Sequence, residues 1–287
     1  MEYKKINLSD WKKIGEGATA DSYFHKNDPS LMLKLFTGKV TTSRYAFKEV
    51  KSSQHVEKCG IATPKAHDVV IANGKIGIVY QRINNKVSYS RLIADNKGNL
   101  IQVAEMFVKE LKELHSKKCD TQFFPGIKDV VIHAIKENKS INKDIKSKLL
   151  SFVEVLGDSD MCLHGDPHTG NLIIADGKSY WIDLGAFTHG NPWYDIGGVY
   201  FFYKSLMGRL ISSKFLHMNV FTLNNFWKQF VYFYTGDSTE ENYKVFTLKA
   251  RKCATLFMLY TMSNEHYAGF KALIANFIIK NLSRSFK

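Results

Sequence analysis

The chain has 287 residues, 45% of them apolar and 13% aromatic, which suffices for one large domain or two small lobes and excludes a disordered chain. Its formal net charge is +13, from 40 Lys and Arg against 27 Asp and Glu. The lysines are spread along the whole sequence, with no long basic block and no nucleic-acid motif, so they read as a solvated surface and no nucleic acid is expected as a partner.

The first 85 or so residues carry strand signals at 11–14, 22–26, 31–36, 67–72 and 76–82. Turn chemistry separates them at Gly15–Gly17, Asn27-Asp28-Pro29 and Asn73-Gly74. Gly15 and Gly17 lie in a glycine-rich turn that runs from Ile14 to Ser22, where the backbone can approach a phosphate without side-chain clashes. Lys34 lies inside the apolar strand Leu31–Phe36, an expensive place for an ammonium unless it is paired. Residues 43–58 lack Gly and Pro and read as a helix opened by Thr42 or Ser43. Its inward stripe of Ala46, Glu49 or Val50, Ser53 and Val56 turns the Glu49 carboxylate inward as well. Pairing Lys34 with Glu49 removes both costs and aims an ammonium at nucleotide phosphates. Glu57, two turns on, is the rival partner.

After Asn84-Asn85 the pattern turns helical. Residues 101–117 space Ile101, Ala104, Phe107, Val108, Leu111 and Leu114 along one face, and residues 144–156 do the same with Ile145, Leu149, Phe152, Val153 and Leu156. Everything from about 193 onward also looks helical and is rich in aromatic residues. A small β-rich lobe, residues 1–84, is therefore expected to bind nucleotide, and a larger helical lobe, residues 85–287, to carry catalysis and the substrate.

The segment 164–185 is the most informative. Two short apolar strands, 172–174 and 180–182, flank Asp176-Gly177 as in a hairpin. Pairing outward from that turn sets position 171 opposite 182 or 183, so Asn171 and Asp183 are expected to face each other at its open end. Asp166 lies five residues before Asn171, in a loop shaped by Gly165, Pro167 and Gly170. Two oxygen ligands suit Mg²⁺, and a third carboxylate can take the proton of an attacking hydroxyl. Pro167 and the flanking glycines argue against a helix, and so against zinc held by His164 and His168. His164 reads as a packed residue shaping the loop, and His168 as a residue near the phosphates or the substrate.

The string His164-Gly-Asp-Pro-His-Thr-Gly-Asn171, followed by Asp183 in Trp-Ile-Asp-Leu-Gly, resembles the kinase-like phosphotransferases of the aminoglycoside phosphotransferase and choline kinase group. The resemblance covers roughly residues 11–200. It implies an α+β, two-lobed, protein-kinase-like fold with a small antiparallel sheet and one main helix in the first lobe. It also implies Asp166 as catalytic base, Asn171 and Asp183 as Mg²⁺ ligands, and Lys34 on the ATP phosphates with Glu49 behind it. Backbone groups near Gln81–Ile83 would bind adenine, and Asp195 would brace the catalytic loop. The sequence departs from the family in having Ala20 for the third glycine of the phosphate loop and Thr169 where proline is usual.

The activity implied is ATP- and Mg²⁺-dependent transfer of a phosphoryl group to a hydroxyl of a small molecule: an aminoglycoside, choline-like compound, sugar or amino alcohol. A Ser/Thr protein kinase and a non-catalytic nucleotide-binding protein are the alternatives. His168 in place of a lysine, and the short stretch between Asp183 and Pro192, favour the small acceptor. Asp237, Glu240, Glu241 and Glu265 could form an acidic patch for a polycation but read first as solvated charges. Trp227, Tyr232, Tyr234 and Tyr243 could cage a quaternary ammonium but read first as core. Cys59, Cys119, Cys162 and Cys253 are scattered without metal-ligand spacing, as in a reduced cytoplasmic protein. No signal-peptide core and no bilayer-length apolar run is seen, so no membrane partner is expected. The oligomeric state stays open.

Overall fold

Side chains alternate across a strand, and that alternation builds the first part of the molecule. The computed structural model describes residues 3–16, 20–38, 43–96, 99–263 and 270–286. The chain divides into two compact units, Met1–Lys86 with Ile173–Gly185, and Val87–Leu172 with Ala186–Lys287. The hairpin that the sequence reading assigns to the second lobe thus belongs with the first unit.

In the first unit, β1 (Lys4–Lys5), β2 (Trp11–Glu16), β3 (Ala20–His25), β4 (Leu31–Phe36), β5 (Ala66–Ala72) and β6 (Lys75–Gln81) form one sheet in the order β1-β5-β6-β4-β3-β2. The sheet is mixed, because the short edge strand β1 runs parallel to β5 while the other pairings are antiparallel. Helix α1 (Ser43–Lys58) covers one face. Leu33 and Leu35 point to the other face, into a cluster with Trp11, Val70, Ala72 and Val79. Phe36, Ile78 and Tyr80 point toward α1 and pack with Ala46 and Val50. Lys34 alternates with Leu33 and Leu35, so the strand itself delivers it to the α1 face. Ala20 is a core residue of that same cluster. Gly17 and Thr42 lie outside the described residues.

The second unit begins with β7 (Val87–Ser88), α2 (Tyr89–Ala94), α3 (Leu100–Ser116), α4 (Ile127–Glu137), α5 (Lys143–Leu156) and β8 (Cys162–Leu163). The apolar stripe of α3 is buried from Val103 to His115, but Ile101 in its first turn is exposed. Asn99 and Asn142 cap α3 and α5 by accepting backbone N–H groups, each worth about 1 kcal/mol. After a 3-10 turn at Thr169–Asn171 the chain forms the hairpin of β9 (Leu172–Ala175) and β10 (Lys178–Trp181). Its turn residues Asp176 and Gly177 both have positive φ, 49° and 76°, as a tight two-residue hairpin requires. The Trp181 N–H donates to the Ala62 carbonyl at 2.9 Å and ties the hairpin into the first unit.

The rest of the second unit comprises β11 (Thr188–His189), α6 (Trp193–Tyr203), α7 (Leu206–Leu216), α8 (Val220–Thr235), α9 (Glu240–Ser263) and α10 (Phe270–Leu282). Strand β11 pairs antiparallel with β8. Helix α6 is apolar all round and buried from Tyr194 to Tyr203, as a central helix must be. Trp227 is fully buried and stacks on Phe230 with centroids 5.5 Å apart.

Candidate active site

The first unit gathers a charge cluster around the buried Glu49. Lys34 Nζ donates to Glu49 Oε1 and to Asp183 Oδ1, each at 2.8 Å. Tyr80 donates its hydroxyl to the same Glu49 oxygen at 2.6 Å. Glu49 is 2% exposed, and its Oε2 has no hydrogen-bond partner among the described residues. Burial works against the Lys34 ammonium, but Asp183 and then Glu49 outweigh it and hold its pKa above the ordinary lysine value. Burial, reinforced by the Glu49 charge, pushes the Tyr80 phenol well above its usual range. Glu57 lies instead 3.6 Å from Lys65.

Asp183 has φ 62°, a left-handed conformation in which Asp is among the better-tolerated side chains. Gly15 sits in β2 beside a register shift at Lys13/Gly15. Lys13 bridges Glu16 at 2.7 Å and Asp21 at 3.0 Å, which ties the two strands together at the stem of the glycine-rich turn. Along 81–83 the Gln81 N–H donates to the Lys65 carbonyl and the Arg82 N–H to the Ser30 carbonyl. The next backbone donor is the N–H of Ile83, at the head of an irregular stretch.

The second unit holds the loop 164–171. Asp195 on α6 is fully buried, and it accepts the His164 N–H at 2.8 Å on Oδ2 and the Gly165 N–H at 3.0 Å on Oδ1. His115, at the end of α3, lies 3.0 Å from the same Oδ2 through its Nε2. Gly165 has φ 78°, and a Cβ there would run into the Ala186 carbonyl, so this turn needs glycine. His164 is fully buried, and its Nδ1 accepts the Asp166 N–H at 3.3 Å. Tyr203 on α6 holds the far end of the loop, accepting the Thr169 N–H at 2.8 Å and lying 2.7 Å from the Thr169 hydroxyl.

Asn171 donates its amide to the Asp166 carbonyl at 3.0 Å and to Asp166 Oδ2 at 3.1 Å. Because Nδ2 makes both bonds, Oδ1 is the end of the Asn171 amide left to accept. His168 is 9% exposed, between Phe202 and Phe215, with its Nδ1 accepting the Gly170 N–H at 3.1 Å.

Residues 141–214, which contain this loop and Asp183, match the model of the phosphotransferase enzyme family. A choline/ethanolamine kinase family protein from Mesorhizobium loti superposes with a TM-score of 0.53 at 14% identity, covering 96% of this chain and 88% of that one. The fold is kinase-like. An amicoumacin kinase in complex with AMP-PNP and Ca²⁺ gives a TM-score of 0.47 at 13% identity, covering 98% of this chain and 90% of that one. A type III effector protein of Pseudomonas syringae pv. syringae is 28% identical over 90 residues, 30% of this chain. The match spans 45% of that effector's length.

Three residues of this kinase-like architecture escape the sequence reading. His115 and Tyr203 lie near the ends of helices and Tyr80 lies in a strand, and none of the three stands out in the sequence pattern. A buried polar atom must find a partner, and that was the signal available for each. The aromatic residues considered for a cation cage already have lysines of the chain over two of their faces. Lys112 lies 5.0 Å from the Tyr234 ring centre and Lys204 5.6 Å from that of Tyr243. Asp237, Glu240 and Glu241 are exposed around the start of α9, where acidic groups favour a helix N-terminus. Glu265 lies outside the described residues.

Each unit by itself holds a donor of a kind that suits a hard divalent cation: in the second, Asn171 has a carbonyl oxygen oriented by its own amide; in the first, Asp183 has a carboxylate anchored by Lys34.

Proposed function

We propose that this chain is an ATP- and Mg²⁺-dependent phosphotransferase that moves the γ-phosphate to a hydroxyl of a small molecule. The observation that carries this reading is Asp166, a half-exposed carboxylate in a loop pinned at three backbone N–H groups, with Asn171 bonded to its Oδ2. Such pinning fixes a reacting group before substrate arrives, and that is where most of the rate gain of phosphoryl transfer originates.

In the proposed reaction the acceptor oxygen attacks the γ-phosphorus while its proton passes to Asp166. The bond from the γ-phosphorus to the β-bridging oxygen breaks, and ADP leaves. Lys34 lies along the phosphates, kept charged and aimed by Glu49. Asn171 and Asp183 would hold Mg²⁺, which neutralises charge on the β- and γ-phosphate oxygens. Gly15 would line the phosphates. The adenine edge meets Gln81 and the N–H of Ile83, since the N–H groups of Gln81 and Arg82 are already committed.

A protein of net charge +13 repels polycations at long range, so a neutral or singly charged acceptor fits better than an aminoglycoside. The decisive experiment is an ATP-consumption screen against choline, amino alcohols, sugars and aminoglycosides, with a generic protein substrate alongside. The reading expects acceptor-stimulated ADP release that Asp166→Asn abolishes. Phosphorylation of the protein substrate alone would move the assignment to a protein kinase. Mg²⁺-dependent ATP binding with no turnover on any acceptor would leave a binding protein.

A further inference from the structure

The two ring nitrogens of His168 do different work. Nδ1 accepts the Gly170 N–H at 3.1 Å, so on the neutral ring the proton must sit on Nε2. That Nε2 lies 3.5 Å from Asp166 Oδ2, a small ring rotation away from hydrogen-bond distance. The ring is walled in by Phe202 at 5.1 Å and Phe215 at 5.2 Å between centroids. Gly170 closes the space behind it, because a Cβ there would press on the imidazole Cε1 and Nδ1 at 3.0 Å. Asp166 Oδ2 also takes the Asn171 amide at 3.1 Å. Two donors therefore converge on one carboxylate oxygen, and Oδ1 has no partner among the described residues.

We infer that His168 is a positioning residue for Asp166: its Nε2–H and the Asn171 amide share Oδ2 and thereby turn Oδ1 to the acceptor hydroxyl. This rests on the reading of Asp166 as the base. It also makes the sequence expectation for His168, near the phosphates or the substrate, more specific: a place behind the carboxylate that meets the acceptor. A purely structural role, closing the turn through Nδ1, is the competing explanation, and the two nitrogens allow them to be separated.

Asn at position 168 can still accept the Gly170 N–H, as short amides do in such turns, but cannot reach Asp166. Gln can place an N–H near Asp166 but cannot close the turn. For His168→Asn the expected result is a slightly lower melting temperature from the lost ring packing and an unchanged ATP affinity, with turnover reduced roughly 10- to 100-fold. His168→Gln should melt lower yet turn over faster than His168→Asn. Wild-type turnover in His168→Asn would overturn the inference, and Asp166→Asn separates that failure from failure of the parent reading. If Asp166→Asn is inactive and His168→Asn is not, only the positioning role falls; if Asp166→Asn itself turns over, the base assignment falls with it. A second readout needs no acceptor: ¹⁵N NMR of the His168 ring should show the Nε2–H tautomer, with its Nε2 signal moved by Asp166→Asn. An Nδ1–H tautomer, or an unmoved signal, would equally overturn it.

Discussion

The charge cluster of the first unit and the loop 164–171 of the second hold their polar groups by opposite means. Around Lys34, charge is held by charge: one ammonium bridges two carboxylates, Glu49 nearly inaccessible and also bonded by a phenol, Asp183 partly exposed. Around Asp166, the backbone is held by side chains that come from α3 and α6, through Asp195, His115 and Tyr203. Charges set by charge are costly to remove singly, because the survivor stays buried and unpaired. A loop set by backbone bonds can lose a reacting side chain with little change in stability. The first arrangement joins function to folding; the second separates them.

The substitution that sharpens this contrast most is Asp166→Asn. Turnover should fall by about 10³-fold or more, while the melting temperature and ATP affinity stay near wild type. Steady-state kinetics with calorimetric ATP titration checks both halves of that expectation. Lys34→Met should do the opposite and lower both. It strands Glu49 with Tyr80 as its remaining hydrogen-bond donor, costing about 3–5 kcal/mol in urea denaturation. Equal stability in the two variants would erase the distinction between the regions.

Asp195→Ala tests the loop from behind. It leaves the His164 and Gly165 N–H groups and His115 without their shared acceptor, so a loss of about 3 kcal/mol is expected. Turnover should fall with it, because the loop is no longer pinned, and the His164 and Gly165 amides should exchange hydrogen faster than in the wild type. Tyr80→Phe is milder. It removes one bond to Glu49, for about 1–2 kcal/mol by denaturant titration.

The smallest effect is a pH dependence. Burial raises the phenol pKa of Tyr80, Tyr203 and Tyr260, and brings Tyr234 to about 12. Above pH ~10 the unfolded chain releases these protons while the folded one keeps them. Stability should therefore decline as pH rises past that point. A step of tyrosinate absorbance should then accompany unfolding; if unfolding brought no such step, these four phenols would be accessible in the folded chain.

The sequence reading reached the first region better than the second. Helix α1 runs over Ser43–Lys58, the stretch read as helix, and its inward stripe of Ala46, Glu49, Val50, Ser53 and Val56 is buried. The pairing with Glu49 was legible because an inward carboxylate and a lysine in an apolar strand each demand a partner. In the second region the local string from His164 to Asn171 carries the family resemblance, but its supports do not announce themselves. His115 meets Asp195 across 80 positions, and Thr169 meets Tyr203 across 34. No periodicity encodes contacts of that range. The parallel edge strand β1 was invisible for a related reason: two lysines with no apolar alternation pair with β5 through backbone groups alone. Assignment of the hairpin to the first unit likewise depends on long-range bonds such as that between Trp181 and Ala62.

The most direct test of the account is calorimetric titration of ATP with and without Mg²⁺, in the wild type and in Asp183→Asn. The account predicts that Mg²⁺ strengthens ATP binding to the wild type by about ten-fold or more, and that Asp183→Asn loses most of that gain. Binding that ignores Mg²⁺, or a gain that survives intact in Asp183→Asn, would contradict it.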